Sequence, residues 1–514
     1  LISIPRNVCA SWQRFPQTLI ALALFVLTLA LRLPFASQTL NHWDSVNHAL
    51  ALTAFNVAAH RPQPPGYILY IGIARLVNFI FPDAQTALVV VTMLASALAV
   101  AFLFLLGARM VSREMGLIAA LLLLTSPPFW FDGEVALPYT VEGSASIVLA
   151  FLLHKMLTGE QRIASLTAVV FAISIGLRQQ MALFFAPLVL YVFWKQSWRA
   201  RVESVAWFAF VCALWFVPLM VSAGGIENYL KTLRELNSSF ASEYVLGGAG
   251  GEAGLVRNIV RQATYTAYAL NLALLPFVFA LASRWRESNW RGVWENPRAR
   301  FLALWIVPSI LFYTLFHMGS PGLIYVYLPA LFLIAAWGVM QLTRAVPQWR
   351  VFVVIALCAA NAFLFLGTPP DLYTGRALRA LNYSSLVAHD RSLGARVETI
   401  RAQFDPRTTL VLATDWRFAE YYLPEYRAML FLPQDRVPLL VIQNQRENYV
   451  QLDDPRAQVQ DVKTIVLFDA GAAKFYHGAS TLACLTLADR SCLQNARMDA
   501  PIRLRKDGVW MDVP

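Results

Sequence analysis

Long apolar runs broken by short polar connections organise this chain. The runs lie at about 17–35, 84–107, 115–131, 138–156, 163–177, 180–194, 204–221, 264–283, 300–317, 322–342 and 351–367. A membrane-crossing helix needs about 20 apolar residues, and somewhat fewer in short or reentrant elements. The pattern therefore predicts eleven spans, with the halves of 163–194 the shortest. The first run lacks a small-residue cleavage site and reads as a retained anchor. Two connections are long. In residues 36–83, Asp44, Asn47, His48, Ala51 and Phe55 recur at helical spacing, and Gly66–Phe81 is apolar but interrupted. Both predict helices lying at the membrane interface. The second long connection, about 222–263, holds Gly247-Gly248-Ala249-Gly250-Gly251. No strand-loop-helix context or Lys-Ser/Thr follows it to make a phosphate cradle, so it reads as a flexible gate. From about Pro369 the pattern becomes that of a soluble domain. Thr408–Thr414 and Lys463–Asp469 are buried-strand patterns, and Arg391–Gln403 reads as a helix. The expected division is a transmembrane domain over residues 1–368 and a small α/β domain over 369–514.

Composition agrees. The chain is 514 residues long, 58% hydrophobic and 14% charged, against about 25% charged in ordinary soluble domains. Its net charge of +11 does not point to nucleic acid, because the basic residues cluster in the short loops between spans. With Arg6 and Arg14 placed in the cytoplasm, that face carries sixteen basic residues and the opposite face seven, over longer stretches. This positive-inside bias puts the C-terminal domain outside. Five cysteines are present. Cys9 lies near the N-terminus, and Cys212 and Cys358 lie in apolar runs. Cys484 and Cys492 sit eight residues apart in the outer domain, where a disulfide is plausible.

Candidate chemistry gathers on the outer face. Asp44, beside Trp43, is either a general base for an incoming hydroxyl or a helix N-cap. His42, Asp44, His48 and His60 could ligate a metal, since Asp44 and His48 stand at i, i+4. They match no short metal signature, so polar lining of a substrate cavity is the simpler account, and no cofactor is expected. Pro64-Pro65-Gly66-Tyr67 is a stiff turn that aims the next helix or shapes the floor of a site. Asp132, Glu134 and Glu142 follow on the next outer connection, as a second acid, as sugar-hydroxyl ligands or as solvated loop charges. Arg178, in a very short outer turn, either grips a phosphate or snorkels to lipid headgroups. His317 joins two spans on the same face and is followed by Tyr325 and Tyr327. It could bond a phosphate or a sugar, or be an ordinary loop residue.

Several of these pieces fall in a familiar order. Leu31-Arg32-Leu33-Pro34 closes the first span and Trp43-Asp44 opens the loop. Gln63-Pro64-Pro65-Gly66-Tyr67-Ile68-Leu69-Tyr70 is similar to a His-Pro-Pro-Gly-Tyr-Pro-Leu-Tyr motif. Glu134-Val135 with Leu137 comes next, then His317-Met318-Gly319-Ser320-Pro321-Gly322 and Leu328-Pro329-Ala330. Together, over about residues 20–345, they resemble the GT-C class of integral-membrane glycosyltransferases, in particular bacterial relatives of protein mannosyltransferases and aminoarabinose transferases. The chain departs from the pattern in three places. Ser45 stands where many members carry a second acid, Gln63 replaces the usual His, and Ile68 replaces a proline. These departures leave the metal question open.

The resemblance implies a polytopic α-helical membrane protein, GT-C-like, with about eleven transmembrane helices, interfacial helices in the first outer loop and a small C-terminal α/β extracytoplasmic domain. It implies inverting sugar transfer from a polyprenyl-phosphate donor to a lipid, glycan or protein acceptor on the periplasmic face of a bacterial inner membrane. Asp44 would be the base, Glu134 a second acid, and Arg178 and His317 the ligands of the donor phosphate. His42, His48, His60, Tyr67 and Tyr325 would line the substrate site. A transporter or flippase is the rival from another class. It would want ionisable groups at mid-membrane or repeated halves. Here the notable charges sit at span ends and no repeat is visible. A non-catalytic assembly factor of the same fold stays open.

Overall fold

The computed structural model describes residues 15–239, 244–246, 248–287, 295–370, 381–431, 438–441, 462–469, 471–472, 477–478, 483–497, 502–506 and 509–513. Arg6, Cys9, Arg14 and Gly247 lie outside the described residues. The chain divides into two compact units: residues 1–36 with 64–386, and residues 37–63 with 387–514.

The first unit is helical. Among the described residues, seven stretches are long and apolar enough to cross a membrane: 17–35, 84–110, 139–157, 198–222, 251–283, 297–315 and 347–366. Shorter apolar helices cover 68–78, 161–177, 181–193 and 328–342. The principal helices, with a helix of the second unit kept in chain order, are α1 (Gln17–Arg32), α2 (Trp43–Thr53, second unit), α3 (Ile68–Asn78), α4 (Ala84–Met110), α5 (Arg113–Thr125), α6 (Pro127–Asp132), α7 (Tyr139–Leu157), α8 (Ala164–Leu177), α9 (Met181–Phe193), α10 (Trp198–Ser222), α11 (Ile226–Ser239), α12 (Gly251–Leu270), α13 (Leu274–Glu287), α14 (Pro297–Leu315), α15 (Leu328–Leu342) and α16 (Arg350–Leu366).

Two of the expected spans are interrupted where prolines fall, and a third, 264–283, is divided between α12 and α13 by a 3-10 turn over Asn271–Ala273. The run 115–131 becomes α5 and α6. Ser126, before Pro127-Pro128, takes an extended ψ of 121°, as a residue preceding proline must when it avoids the Cδ clash. The run 322–342 starts as a 3-10 turn over Pro321–Val326, and α15 begins only at Leu328-Pro329.

Helices α4 and α7 form the centre, with 72% of each span buried, whereas α10 is only 17% buried. α4 packs against α1, α3, α5 and α7, α8 against α10, and α13 against α15. The outer helices turn Leu22, Val26, Val205, Leu214, Ile355 and Phe363 outward. In water such a face is a liability, and in hydrocarbon it needs no cover. The α4–α5 hairpin closes on small residues: a Cβ added at Gly107 would lie 2.6 Å from the Gly116 Cα.

The second unit is α/β. Strands β1 (Thr409–Ala413), β2 (Arg427–Phe431), β3 (Pro438–Val441), β4 (Thr464–Leu467), β5 (His477–Gly478), β6 (Ala483–Thr486), β7 (Cys492–Arg497), β8 (Ile502–Lys506) and β9 (Val509–Val513) form two sheets. One has the order β3-β2-β1-β4-β7-β6 and the other β5-β8-β9. β1 is buried at every position and pairs in parallel with β2 and β4. Its unbroken apolar run is what a strand covered on both faces requires. Helix α17 (Tyr383–Gln403) precedes β1, and α18 (Trp416–Tyr422) connects β1 to β2. Cys484 on β6 and Cys492 on β7 are joined by a disulfide. Residues 37–63, including α2, belong to this unit and not with the spans that flank them in sequence. Side chains from 387–514 take up their backbone polar groups: Tyr422 Oη accepts from the Leu40 N–H at 2.8 Å, and Asp390 does the same at Gln38 and Thr39.

Gly107→Leu is expected to force α4 and α5 apart, because the obstruction is backbone and cannot rotate away. Overpacking of this kind costs about 1–3 kcal/mol or more. Thermal unfolding in detergent checks it, and a variant as stable as wild type would remove the close-packed hairpin.

Candidate active site

In the first unit, the end of α6, the turn after it and the start of α7 bring three acids into the protein interior. Asp132, Glu134 and Glu142 are all buried, so none is a solvated loop charge. Each has its own neighbour. Tyr325 Oη donates to Asp132 Oδ2 at 2.6 Å. Glu142 is ion-paired with Arg178 Nη1. Glu134 faces the charge of Arg32 and lies beside Trp130. Neither of its carboxyl oxygens has a hydrogen-bond partner among the described residues.

Arg32 is the hub of this corner. Its Nη2 donates to the Leu124 carbonyl at 2.8 Å, and its Nε reaches Ser96 Oγ at 3.4 Å. The guanidinium carbon lies 4.9 Å from the Trp130 ring centroid. Gly133 is pressed against it, and a Cβ there would stand 2.9 Å from Arg32 Nε. Burial pushes the Asp132 carboxyl up to about 7, against the Tyr325 hydrogen bond, and the Glu142 charge adds to the rise. Burial likewise holds the Glu134 carboxyl well above the usual carboxylate range, with Arg32 opposing.

Arg178 is extended, with φ −152° and ψ 117°, and separates α8 from α9. It is buried and paired, so it does not snorkel. Besides Glu142, its electrostatic neighbours include Tyr313 and Tyr67. Tyr67 follows Gly66 (φ 108°) in the left-handed region, at φ 41°, where a residue with a Cβ stays only if its surroundings hold it there. The adjacent Pro65 carbonyl accepts from Tyr229 Oη at 3.0 Å, and Gln179 Nε2 donates to the same Tyr229 oxygen at 2.8 Å. The Pro-Pro-Gly-Tyr turn and the Arg178 turn are thereby tied together. His317 sits in a clamped loop. Asn258 accepts from the Met318 N–H and donates to the Phe316 carbonyl, and Arg261 donates to the Met318 carbonyl, each at 3.2 Å. The His317 ring meets Tyr244 edge-on at 5.6 Å.

In the second unit, His42 caps α2 and not Asp44: His42 Nδ1 accepts from the Asp44 N–H at 3.1 Å. Asp44 therefore sits in the first turn. Its carboxylate is 30% exposed and 3.7 Å from His42 Nδ1. Ser45, Asn47 and His48 are buried. His60 has φ 55° in a small hairpin closed by Asn56 and Arg61. Among the described residues, no three His, Cys, Asp or Glu side chains gather as metal ligands.

The motifs quoted from the sequence include Arg32 but assign it no role. The available signal was a guanidinium at the end of an apolar helix, which always needs a partner. Asp390, Arg417 and Glu420, which hold residues 37–63, carried no local signal.

Comparison with known proteins gives a fold. A family profile described as dolichyl-phosphate-mannose-protein mannosyltransferase matches residues 63–221. The crystal structure of ArnT from Cupriavidus metallidurans bound to undecaprenyl phosphate is similar with a TM-score of 0.55 at 13% identity, covering 94% of this chain and 97% of that one. The apo state of the same protein gives 0.51 at 12% identity, with the same coverage. No sequence among curated proteins matches the chain.

Asp132 binds its proton more tightly folded than unfolded. Its contribution to stability is therefore full below the ordinary value of 3.8 and is lost as pH rises toward about 7. Asp132→Asn removes that loss. The variant is expected to gain on wild type as melting is measured from about pH 4 to about pH 7, and parallel curves would contradict the shift. Arg178→Met alone strands the buried Glu142 charge, at a cost of about 3–5 kcal/mol. Combining it with Glu142→Leu is expected to recover most of the loss in the same assay.

Proposed function

We propose that this chain, a multi-span membrane protein with the GT-C glycosyltransferase fold, moves a sugar from a polyprenyl-phosphate donor to a lipid, glycan or protein acceptor. The reaction takes place at the outer, periplasmic face of a bacterial inner membrane and inverts the anomeric carbon. The observation that carries the proposal is the fold likeness, over 94% of the chain, to a structure holding undecaprenyl phosphate. A lipid of that kind needs a bilayer-embedded groove, which is what a bundle with so many apolar outer faces can provide.

Asp44 is the general base. It lies in the first turn of a helix and is partly exposed, where an incoming hydroxyl can reach it. The acceptor hydroxyl gives its proton to Asp44 as its oxygen bonds to the anomeric carbon. The bond from that carbon to the phosphate oxygen breaks through an oxocarbenium-like state. The bonding pair leaves with the polyprenyl phosphate. Arg178 and His317 stabilise the departing charge. Arg178 already carries Glu142 as counter-ion, so the phosphate competes with that carboxylate. Glu134, buried with no hydrogen-bond partner among the described residues, suits a sugar hydroxyl. Tyr67, Tyr325, His42, His48 and His60 supply further polar contacts to substrate.

The test uses purified protein in detergent with a panel of radiolabelled undecaprenyl-phosphate hexoses and pentoses and candidate acceptors. Asp44→Asn is expected to lose about 10²–10⁴-fold in turnover while still binding donor. Equal turnover by both proteins would move the base to Glu134. No transfer by wild type with any donor and acceptor would return the transporter and assembly readings.

A further inference from the structure

The segment that carries Asp44 is held on both sides by side chains from residues 387–514, all within one compact unit. Upstream, Asp390 Oδ2 accepts from the Gln38 N–H at 2.8 Å, and Oδ1 accepts from the Thr39 N–H at 3.0 Å and Thr39 Oγ1 at 2.6 Å. At the helix start, Trp43 meets Trp416 edge-on at 5.1 Å, and α2 packs on α18. Downstream, Glu420 stands between two arginines. One oxygen pairs with Arg61, and the other takes Arg417 Nη1 at 2.7 Å. Arg417 is almost wholly buried and also donates to the Ala59 carbonyl at 2.8 Å. Its guanidinium lies 4.3 Å from the Trp416 ring centroid.

An isolated helix as short as α2 does not hold its shape in water. A general base must stay within hydrogen-bond reach of the proton it takes, and a displacement of about 1 Å costs about a hundredfold. The carboxylate of Glu420 is what allows two guanidiniums to share one interior, so its loss acts on Arg61 and Arg417 together.

We propose that residues 387–514 take part in the reaction as the platform that positions Asp44, through the Arg61–Glu420–Arg417 triad and the Asp390 clamp. These are positioning residues, and the proposal rests on Asp44 being the base.

The experiment is a double-mutant cycle on the full chain in detergent. It compares wild type, Glu420→Gln, Asp44→Asn and the double variant, using the undecaprenyl-phosphate sugar panel. Hydrogen exchange of the 38–61 peptides is read in parallel. Glu420→Gln is expected to lower kcat by about tenfold to a hundredfold, leave the donor KM within about twofold, and speed exchange in 43–53. Glu420→Asp should recover part of the rate. In the Asp44→Asn background the same change should cost nothing further, because the base it positions is gone. An undiminished loss in that background, or an unchanged kcat or exchange pattern, overturns the proposal alone. Full turnover by Asp44→Asn, or none by wild type, overturns the base and the platform together. Should Glu420→Gln fail to fold, Asp390→Asn is put through the same cycle with the same expectations.

Discussion

A guanidinium buried near the end of an apolar helix has to be met on every side, and Arg32 is met by several segments at once. Ser96 comes from α4, the Leu124 carbonyl from the end of α5, and the Trp130 face from α6. Glu134 is its acidic neighbour. A charge left unmet in hydrocarbon costs several kcal/mol, so this requirement fixes how α1, α4, α5 and the turn after α6 stand against one another. Gly133 lacks a side chain for the same reason. Once that turn is placed, Asp132 at the end of α6 and Glu142 at the start of α7 are buried by packing and find Tyr325 and Arg178.

The acids of the two units live under opposite conditions. In the membrane unit, burial favours the neutral form of Asp132 and Glu134. Asp44 is partly exposed in the first turn of a helix. A reaction that needs one carboxylate to take a proton and other acids to hold sugar hydroxyls is served by such a split.

Much of the architecture is written in local pattern. The apolar runs mark the helices, and TTLVLAT and KTIVLFD fall on β1 and β4. The Pro-Pro-Gly-Tyr run falls on a turn with two positive φ values. Proline chemistry at 127–128 also breaks a run that apolar content alone reads as one span. What local pattern does not carry is partnership. Nothing near Arg178 in sequence announces Glu142, and nothing near Arg61 announces Glu420, because buried charges choose partners through tertiary packing. Periodicity places Asp44 on a helix without saying which body the helix belongs to. The same limit hides Asp390, an ordinary acid on an amphipathic helix until Gln38 and Thr39 are seen beside it.

The interleaving of the two units has a consequence for biosynthesis. Residues 37–63 leave the ribosome early, yet the residues they fold with begin only at 387. At about 5–20 residues per second, some 320 residues of delay means on the order of half a minute in which the Asp44 segment has no native partner. During that interval most of the membrane helices are made while residues 37–63 lack the side chains that hold them. A nascent chain can therefore hold α3–α16 while α2 still lacks Asp390, Trp416 and Glu420, the side chains that seat it.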